Sequence, residues 1–172
     1  KAHFVFWPRS GGKTDEFNLA SNLPPGLIQE LVPVKVLSTE TTRPDCAEQL
    51  EYAGGHYLAN RWSEELQLGE DCHADAFYQS GKPAAASKDR FTYVATLSCN
   101  EFLVSLFDKL TEKLGLETTK LPKDMRLTKR GNLNFVFNYA GYPQSFETPA
   151  NCQFLIGSAE LAAHDVAIFK TE

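Results

Sequence analysis

The sequence predicts an α/β layer with added antiparallel strands, followed by a small all-β domain. Three stretches indicate this fold class. A β-type run over residues 90–97 leads directly into a helical pattern that ends at Gly115. Residues 49–79 form β-type runs separated by glycine turns, as antiparallel strands do. Residues 133–137 carry an apolar side chain at every second position, which is typical of a half-buried strand.

The first elements of the chain are a strand, a loop and a short helix. A β-type run over residues 3–7 gives way to a glycine-containing loop at residues 8–12. Pro25 suits the start of a helix because that position needs no N–H, so we expect a short amphipathic helix over residues 27–31. A second β-type run follows at residues 34–37. Because the first run begins inside a strand without a preceding Met, we expect a longer parent polypeptide.

The middle of the chain is predicted to form antiparallel strands. Gly54, Gly55 and Gly69 stand where such strands need turns. A further extended segment then leads toward the run at residues 90–97. The strands predicted in this region cover residues 49–53, 57–68, 72–78 and 83–86.

Residues 90–116 form the most regular part of the sequence. Ser98 is predicted to cap the helix by accepting the Glu101 backbone N–H, while Glu101 reaches back to the Ser98 N–H in a capping box. Gly115 ends the helix. One face of the helix is apolar, because these side chains recur at spacings near 3.6: Phe102, Leu103, Leu106, Phe107, Leu110 and Leu114.

A domain boundary is predicted after Pro122, which gives domains at residues 1–122 and 123–172. The second domain is expected to be a small β meander. Its predicted strands cover residues 132–138, 145–148, 152–156 and 166–169.

The composition argues against several classes of function. A formal net charge of −5 disfavours nucleic acid as a partner, because phosphate binding needs concentrated Lys and Arg. No apolar run approaches the ~20 residues of a membrane span, so no membrane partner is expected. The four cysteines lack C-x-x-C spacing and are expected to be reduced and mostly buried. A cytoplasmic location is the default, with an upstream signal peptide as the alternative.

The clustered basic residues are interpreted as a solvated linker: Lys120, Lys123, Arg126, Lys129 and Arg130.

One pattern resembles a metal site. Asp71, His73 and Asp75 stand at every second position, so on a strand they share one face, and such side chains bind metal ions. The opposite face is small and apolar and suits burial. A solvated polar face explains the pattern sufficiently, and we expect neither a metal nor a cofactor.

Two further patterns resemble catalytic sites. Cys99 lies between a strand and a helix, where nucleophiles occur, but its neighbours are too large for the strained turn of a nucleophile elbow, so a structural thiol is favoured. The pairs Glu64-Glu65 and Asp15-Glu16 are adjacent in sequence, and adjacent side chains on a strand point to opposite faces. Neither pair therefore flanks one sugar as glycosidase carboxylates do, and both are interpreted as surface charges.

The loop after the first strand is the strongest candidate for a site. Arg9, Ser10, Asp15, Glu16 and Asn18 lie beyond the carboxyl end of a strand, where open α/β sheets hold ligands or partners. The glycines of this loop do not fit the P-loop pattern. The sequence therefore predicts a binding or subunit-contact loop, with a purely structural loop as the alternative.

Several motifs occur in a characteristic order along nearly the whole chain. They are Arg9-Ser10-Gly11 with Asp15-Glu16, Pro25-Gly26-Leu27, Lys82-Pro83-Ala84, FTYVATL, NEFLVSLFDKL, Leu121-Pro122, Arg126, LNFVFNYA and HDVAIF. In this order they resemble the C-terminal part of a β-galactosidase of glycoside hydrolase family 42. Each motif is weak alone, and their order is what makes the resemblance specific.

The resemblance implies a fold, a function and partners. The fold is the latter half of a flavodoxin-like layer, similar to class I glutamine amidotransferases, plus a small β domain. The implied function is a non-catalytic oligomerisation and scaffold portion of an enzyme that hydrolyses terminal β-galactosides. The implied partners are the catalytic barrel of the parent chain and further copies in a homotrimer, and because the barrel holds both catalytic glutamates, no catalytic residue is expected here. The alternative is a stand-alone amidotransferase-like module that binds a sugar or metabolite at residues 9–18.

Overall fold

The protein consists of two compact units, residues 1–116 and 117–172. Its computed structural model describes residues 2–43 and 45–171. The boundary predicted from the sequence, after Pro122, stands a few residues further along the chain. The outer ends of the two predicted domains, Lys1 and Glu172, lie outside the described residues.

The first unit is built mainly from strands. The strands predicted in the glycine-punctuated middle of the sequence are confirmed, with small changes in their ends. The elements in chain order are β1 (Phe4–Phe6), a 3-10 helix (Gly26–Glu30), β2 (Val34–Glu40), β3 (Glu48–Tyr52), β4 (Gly55–Leu68), β5 (His73–Tyr78), β6 (Pro83–Lys88), β7 (Phe91–Val94), β8 (Thr96–Ser98) and α1 (Asn100–Leu114).

These strands form one mixed sheet in the order β1-β7-β6-β5-β3-β4-β2, with β8 also paired to β4. β1 lies parallel to β7, and the other pairs among the described strands are antiparallel. Among its described residues the unit is therefore mostly β with one long helix, which fits the predicted class only coarsely. Short turns join most neighbouring strands, and such turns allow only antiparallel pairing.

Apolar clusters cover both faces of the sheet. Tyr93 and Val94 are neighbours in β7 and point to opposite faces. Val94 packs in the cluster that contains Phe102 and Leu106 of α1. Tyr93 packs in the cluster with Val32, which follows the 3-10 helix. The sheet is thus enclosed by α1 on one side and by the segment after β1 on the other.

The segment before α1 differs from its prediction in two ways. The strand predicted over residues 90–97 is divided into β7 and β8 at Ala95. The Ala95 carbonyl accepts hydrogen bonds from the Glu64 N–H at 2.8 Å and from the Tyr78 hydroxyl at 2.9 Å. The predicted capping box is wrong, because Ser98 is held in β8 opposite Ala59 and the N-cap residue is Cys99.

Local geometry explains where α1 ends and why the short helix before β2 is not an α-helix. Gly115 ends α1 in the left-handed conformation, as predicted. The run predicted as an amphipathic helix at residues 27–31 is a 3-10 helix instead, because so short a run does not compensate for the cost of nucleating an α-helix. In the described ranges, no helix combines the length and hydrophobicity needed to cross a membrane.

The described residues of the second unit form strands and the loops between them, without a helix. A four-stranded antiparallel sheet has the order β12-β14-β10-β9, and β11 pairs with β13. Its core contains Met125, Val136, Phe146 and Phe169. The strands are β9 (Met125–Arg130), β10 (Leu133–Asn138), β11 (Gln144–Ser145), β12 (Gln153–Ile156), β13 (Glu160–Leu161) and β14 (Val166–Lys170).

Only part of the basic cluster lies in a linker as the sequence suggested: Lys120 and Lys123 stand between α1 and β9, and the other three do not. Arg126, Lys129 and Arg130 lie on β9, an edge strand that buries Met125 and leaves its basic side chains exposed. Charged side chains on an edge strand hinder pairing with other chains, which gives these residues a structural role.

The alternation predicted for β10 is confirmed, and the face it buries is the polar one. Asn134 and Asn138 are buried together with Val136, while Leu133 and its apolar partners on the other face are only half-buried. The Asn138 amide donates to the carbonyl oxygens of Tyr142 at 2.9 Å and Ala162 at 2.8 Å. Burial of these amides is acceptable because they are hydrogen-bonded.

Candidate functional site

The predicted site residues fall into two separate groups on the segment after β1. Arg9 and Ser10 form the turn directly after the strand, and the Ser10 Oγ accepts a hydrogen bond from the Trp7 N–H at 3.2 Å. Asp15, Glu16 and Asn18 line an open depression that Arg9 and Ser10 do not line. The structure therefore does not bring the five residues into one pocket.

The second group belongs to a tight loop, residues 13–19, whose ends meet at a β-bridge between Lys13 and Leu19. Inside it, the Thr14 N–H donates to the Asn18 carbonyl at 2.8 Å and the Phe17 N–H donates to the Thr14 carbonyl at 2.9 Å. All residues of this loop are exposed. The polar side chains of Asp15, Glu16 and Asn18 thus face solvent on a closed turn.

A buried carboxylate, missed in the sequence, holds the first group to the sheet. Glu64 on β4 is only 2% exposed. Its Oε1 accepts hydrogen bonds from the Trp62 indole N–H at 3.0 Å and the Arg9 backbone N–H at 3.3 Å. Its Oε2 accepts one from the Tyr93 hydroxyl at 2.7 Å. The interpretation of Glu64 as a surface charge is therefore wrong, because three donors replace the water it gives up.

The same network fixes the Arg9 side chain. The Arg9 guanidinium lies 5.8 Å from the centre of the Trp62 ring, in cation–π geometry. Arg9 also has a φ of 71°, an uncommon conformation for a residue with a side chain, which the bond to Glu64 helps to hold. Burial and the hydrogen bond to Glu64 raise the pKa of Tyr93, so its hydroxyl stays a donor at neutral pH.

A signal for this network is present in the sequence. Glu64, Leu66 and Leu68 stand at every second position of β4, so their side chains point to the same face of the sheet. The two leucines are apolar and pack on that face. A carboxylate on the apolar face of a long strand indicates a buried polar group, and Trp62, two residues earlier, supplies a donor. The other two donors to the Glu64 carboxylate come from Arg9 and Tyr93. These residues are distant in sequence, so no local pattern reveals them.

Glu65, the neighbour of Glu64, faces the other way and serves a different purpose. Its Oε2 lies 2.9 Å from the Lys82 Nζ and 3.2 Å from the Ser38 hydroxyl. The hydrogen bond and charge of Lys82 lower the pKa of Glu65. Both residues line one shallow depression, but their carboxylates bind different partners: Glu64 accepts from Trp62, Arg9 and Tyr93, and Glu65 pairs with Lys82.

The aspartate and histidine pattern is spread over different surroundings. Asp71 precedes β5 in an exposed turn and lies 3.7 Å from the Lys88 Nζ, while His73 is exposed at the start of the strand. Asp75 is half-buried, and burial raises its pKa although a hydrogen bond from Ser87 opposes the shift. Within residues 2–43 and 45–171, no three His, Cys, Asp or Glu side chains are grouped in a way suited to a metal ion.

Cys99 takes part in the end of α1. It is a free, half-buried thiol that packs against the core cluster beneath the helix. Hydrogen bonds from the Glu101 backbone N–H and the Cys99 thiol lower the pKa of the Glu101 carboxyl. Glu101 lies in the first turn of α1, where the helix dipole favours a carboxylate, and Ser98 takes no part in this helix end.

Comparison with known families accounts for both units. A family model described as the β-galactosidase trimerisation domain matches residues 1–117, and another described as the β-galactosidase C-terminal domain matches residues 115–171. The chain belongs to the family 42 β-galactosidases. The candidate residues after β1 and the Glu64 network both lie within the part matched by the trimerisation-domain model.

Relatives with this name cover the chain almost completely. A β-galactosidase from Thermus thermophilus is 34% identical over 168 residues, and β-galactosidase BgaA from Thermus sp. is 32% identical over 168 residues. Both alignments cover 96% of this chain but 25% of the relative, so the chain spans about a quarter of their length.

A solved structure gives the same result. The crystal structure of β-galactosidase from the psychrophilic Marinomonas ef1 is similar with a TM-score of 0.88 and 32% identity, covering 98% of this chain and 25% of that one. The chain therefore has the fold of the corresponding quarter of that longer protein. The comparisons give no support to the stand-alone amidotransferase-like module.

Proposed function

We propose that this chain is the oligomerisation and scaffold portion of a β-galactosidase, with no catalytic residue of its own. The observation that carries the proposal is the pair of consecutive family matches, trimerisation domain and then C-terminal domain, over residues 1–117 and 115–171. The carboxylates add support, since both oxygens of Glu64 are occupied by protein donors and Glu65 is paired with Lys82.

The proposal assigns the chemistry to the rest of the parent enzyme. A catalytic domain in the same polypeptide would hydrolyse terminal β-galactosides, and the present chain would join its copies in a homotrimer. Support comes from the relatives, which are named β-galactosidases and are about four times as long. The cytoplasmic location expected from the sequence stays a prediction.

A direct assay tests the absence of catalysis. The purified 172-residue chain is incubated with a nitrophenyl β-galactoside and the release of nitrophenol is followed. The expected rate equals that of buffer alone. Turnover above buffer that copurifies with the folded chain through two different columns would overturn the proposal.

We further infer that the first unit is the latter half of a flavodoxin-like layer, similar to that of class I glutamine amidotransferases. The parallel pairing of β1 with β7, and the helix that follows β8 on one face of the sheet, support this inference. β1 has no second partner among the described strands. A crystal structure of the full-length protein tests the inference, with a parallel strand beside β1 as the expected result and an antiparallel or absent strand as the contrary one.

The segment after β1 is proposed as part of the subunit contact. The sequence predicts a binding or subunit-contact role for Arg9, Ser10, Asp15, Glu16 and Asn18. Exposure of the last three and the fastening of Arg9 to Glu64 support it, because a contact loop needs accessible side chains on a fixed backbone.

A further inference from the structure

An apolar surface lies next to these polar residues. Residues 17–31, here called the apolar segment, include five large side chains that the fold leaves open to solvent. Phe17, Leu19 and Leu27 are 79%, 82% and 80% exposed, which is close to their exposure in an unfolded chain. The remaining two are Leu23 at 48% and Leu31 at 40%.

The apolar segment has the composition of an interface core. Residues 17–29 contain no Asp, Glu, Lys or Arg, in a protein of which 23% is charged. The centres of protein interfaces are depleted of charge and enriched in aromatic and large apolar side chains. Large exposed apolar patches on soluble proteins mark interaction sites.

The backbone of this region is fixed. A Cβ at Gly11 would overlap the Pro25 carbonyl oxygen, and a Cβ at Gly26 would overlap the Gly11 carbonyl oxygen, so the two backbones touch directly. The Val36 N–H of β2 also donates to the Pro24 carbonyl at 2.8 Å. The exposed side chains therefore project from a braced segment, which lowers the entropy lost when they bind.

The tip of the segment carries backbone strain. Phe17 has a φ of 61°, a conformation that a bulky side chain rarely adopts. Phe17 lies within the closed turn of residues 13–19, and its ring stays largely in solvent with the Lys13 Nζ 5.9 Å from its centre. Strain kept at an exposed aromatic residue is typical of a functional contact.

We propose that the apolar segment is the surface on which a neighbouring copy of this chain docks, with Phe17, Leu19 and Leu27 at its centre. The proposal rests on the oligomerisation function proposed above and names the surface that carries it. A second copy is the expected occupant because the family model that matches this part of the chain is a trimerisation domain.

The available area fits this occupant. Three of the five side chains are about four-fifths exposed, so the segment offers on the order of several hundred Å² of apolar surface, the size of patch that marks interaction sites. One partner of a standard protein interface contributes about 800 Å². In a closed ring of three copies each interface joins two different surfaces, so every interface contains one apolar segment.

Sedimentation velocity over a concentration series tests the proposal with the 172-residue chain. The variant Phe17→Ser, Leu19→Ser and Leu27→Ser is compared with the parent chain. The matched control is Val104→Ser with Phe107→Ser, two side chains on α1 that are 61% and 46% exposed. Thermal unfolding by circular dichroism checks that both variants keep the parent fold, as expected for exposed positions.

The expected result is an associating parent, a control that associates equally, and a segment variant whose dissociation constant rises about 100-fold or more, as loss of clustered interface anchors implies. A segment variant that associates like the parent overturns the docking surface and leaves the oligomerisation function standing. Equal weakening by the control also overturns it. A parent chain that stays monomeric throughout contradicts the oligomerisation function itself.

Discussion

At the scale of single residues, Glu64 links the candidate segment to the sheet. Its carboxylate accepts from the Trp62 indole, the Tyr93 hydroxyl and the Arg9 backbone in a space closed to water. A buried polar group of this kind stabilises the fold only while every partner is present, since an orphaned donor in the interior costs about 1 to 3 kcal/mol. The Arg9 end of the segment after β1 is therefore fastened to the sheet by one side chain of β4.

Glu64→Ala is expected to lower the free energy of unfolding by about 2 to 4 kcal/mol, because it leaves the buried Tyr93 hydroxyl and the half-buried Trp62 indole N–H without their acceptor and opens a space in the interior. Urea denaturation followed by tryptophan fluorescence measures the change. Glu65→Ala, the adjacent and solvent-facing position, is the matched control and should have a much smaller effect. Equal effects at the two positions would contradict the assignment of Glu64 as the buried anchor.

Asp75→Asn is expected to raise the melting temperature at pH 7 and to do so less at pH 3. Burial raises the pKa of Asp75 above its ordinary 3.8, so the folded state binds this proton more tightly than the unfolded state does. The stability due to the protonated group is present below pH 3.8 and is lost as the pH rises through the higher folded value. The asparagine variant has no such loss.

Thermal scans at the two pH values measure the difference for Asp75. Asp71→Asn, at an exposed position before the same strand, serves as the comparison and should leave both melting temperatures nearly unchanged. A shift of equal size at pH 3 and pH 7 in the Asp75 variant would refute the titration as its cause.

At the scale of elements, the junction of β8 and α1 shows how a strand displaces a helix cap. Ser98 has the sequence of a cap residue, but its pairing with Ala59 keeps it in the sheet. The helix then begins one residue later, at Asn100 after Cys99. Among the described residues, the Ser98 Oγ is a buried hydroxyl that finds no hydrogen-bond partner.

Ser98→Ala should leave the free energy of unfolding unchanged or slightly increased. An N-cap serine replaced by alanine costs about 1 kcal/mol, whereas removal of an unpaired buried hydroxyl costs nothing in hydrogen bonding. Chemical denaturation distinguishes the two cases. A loss of about 1 kcal/mol or more would place the cap at Ser98 after all.

Local patterns predicted the strands well and their partners poorly. Glycine turns located β3, β4 and β5 because each turn is determined by adjacent residues. The parallel pairing of β1 with β7 and the contact of Arg9 with Glu64 join residues far apart in sequence, so no local pattern encodes them. The buried face of β10 was hidden for a related reason: partners on other segments satisfy its Asn138 amide.

At the scale of the whole molecule, stability comes from packing and hydrogen bonding without covalent links. All four cysteines are free thiols; Cys46 is exposed, and Cys72, Cys99 and Cys152 are half-buried. Burial raises the pKa of the Cys72 thiol, which reduces its reactive thiolate form at neutral pH. The two units thus fold without a disulfide.

Titration with a thiol-reactive chromogenic disulfide is expected to show one fast equivalent and three slow ones in the native chain, and four fast equivalents in denaturant. Cys46→Ser should remove the fast phase and no other. A native chain with fewer than four equivalents in denaturant under non-reducing conditions would indicate a disulfide. A fast phase that survives in the Cys46 variant would identify another accessible thiol.

The contact between Gly11 and Gly26 sets a limit on how this protein can evolve. A side chain at Gly11 would overlap the Pro25 carbonyl oxygen, and one at Gly26 would overlap the Gly11 carbonyl oxygen. A substitution at either glycine alone creates this overlap, because the backbone at the other position stays where it is. Single substitutions therefore cannot lead gradually to a segment of a different shape. A saturation library of the chain should retain glycine at 11 and 26, while the exposed positions between them vary freely unless selection acts on assembly.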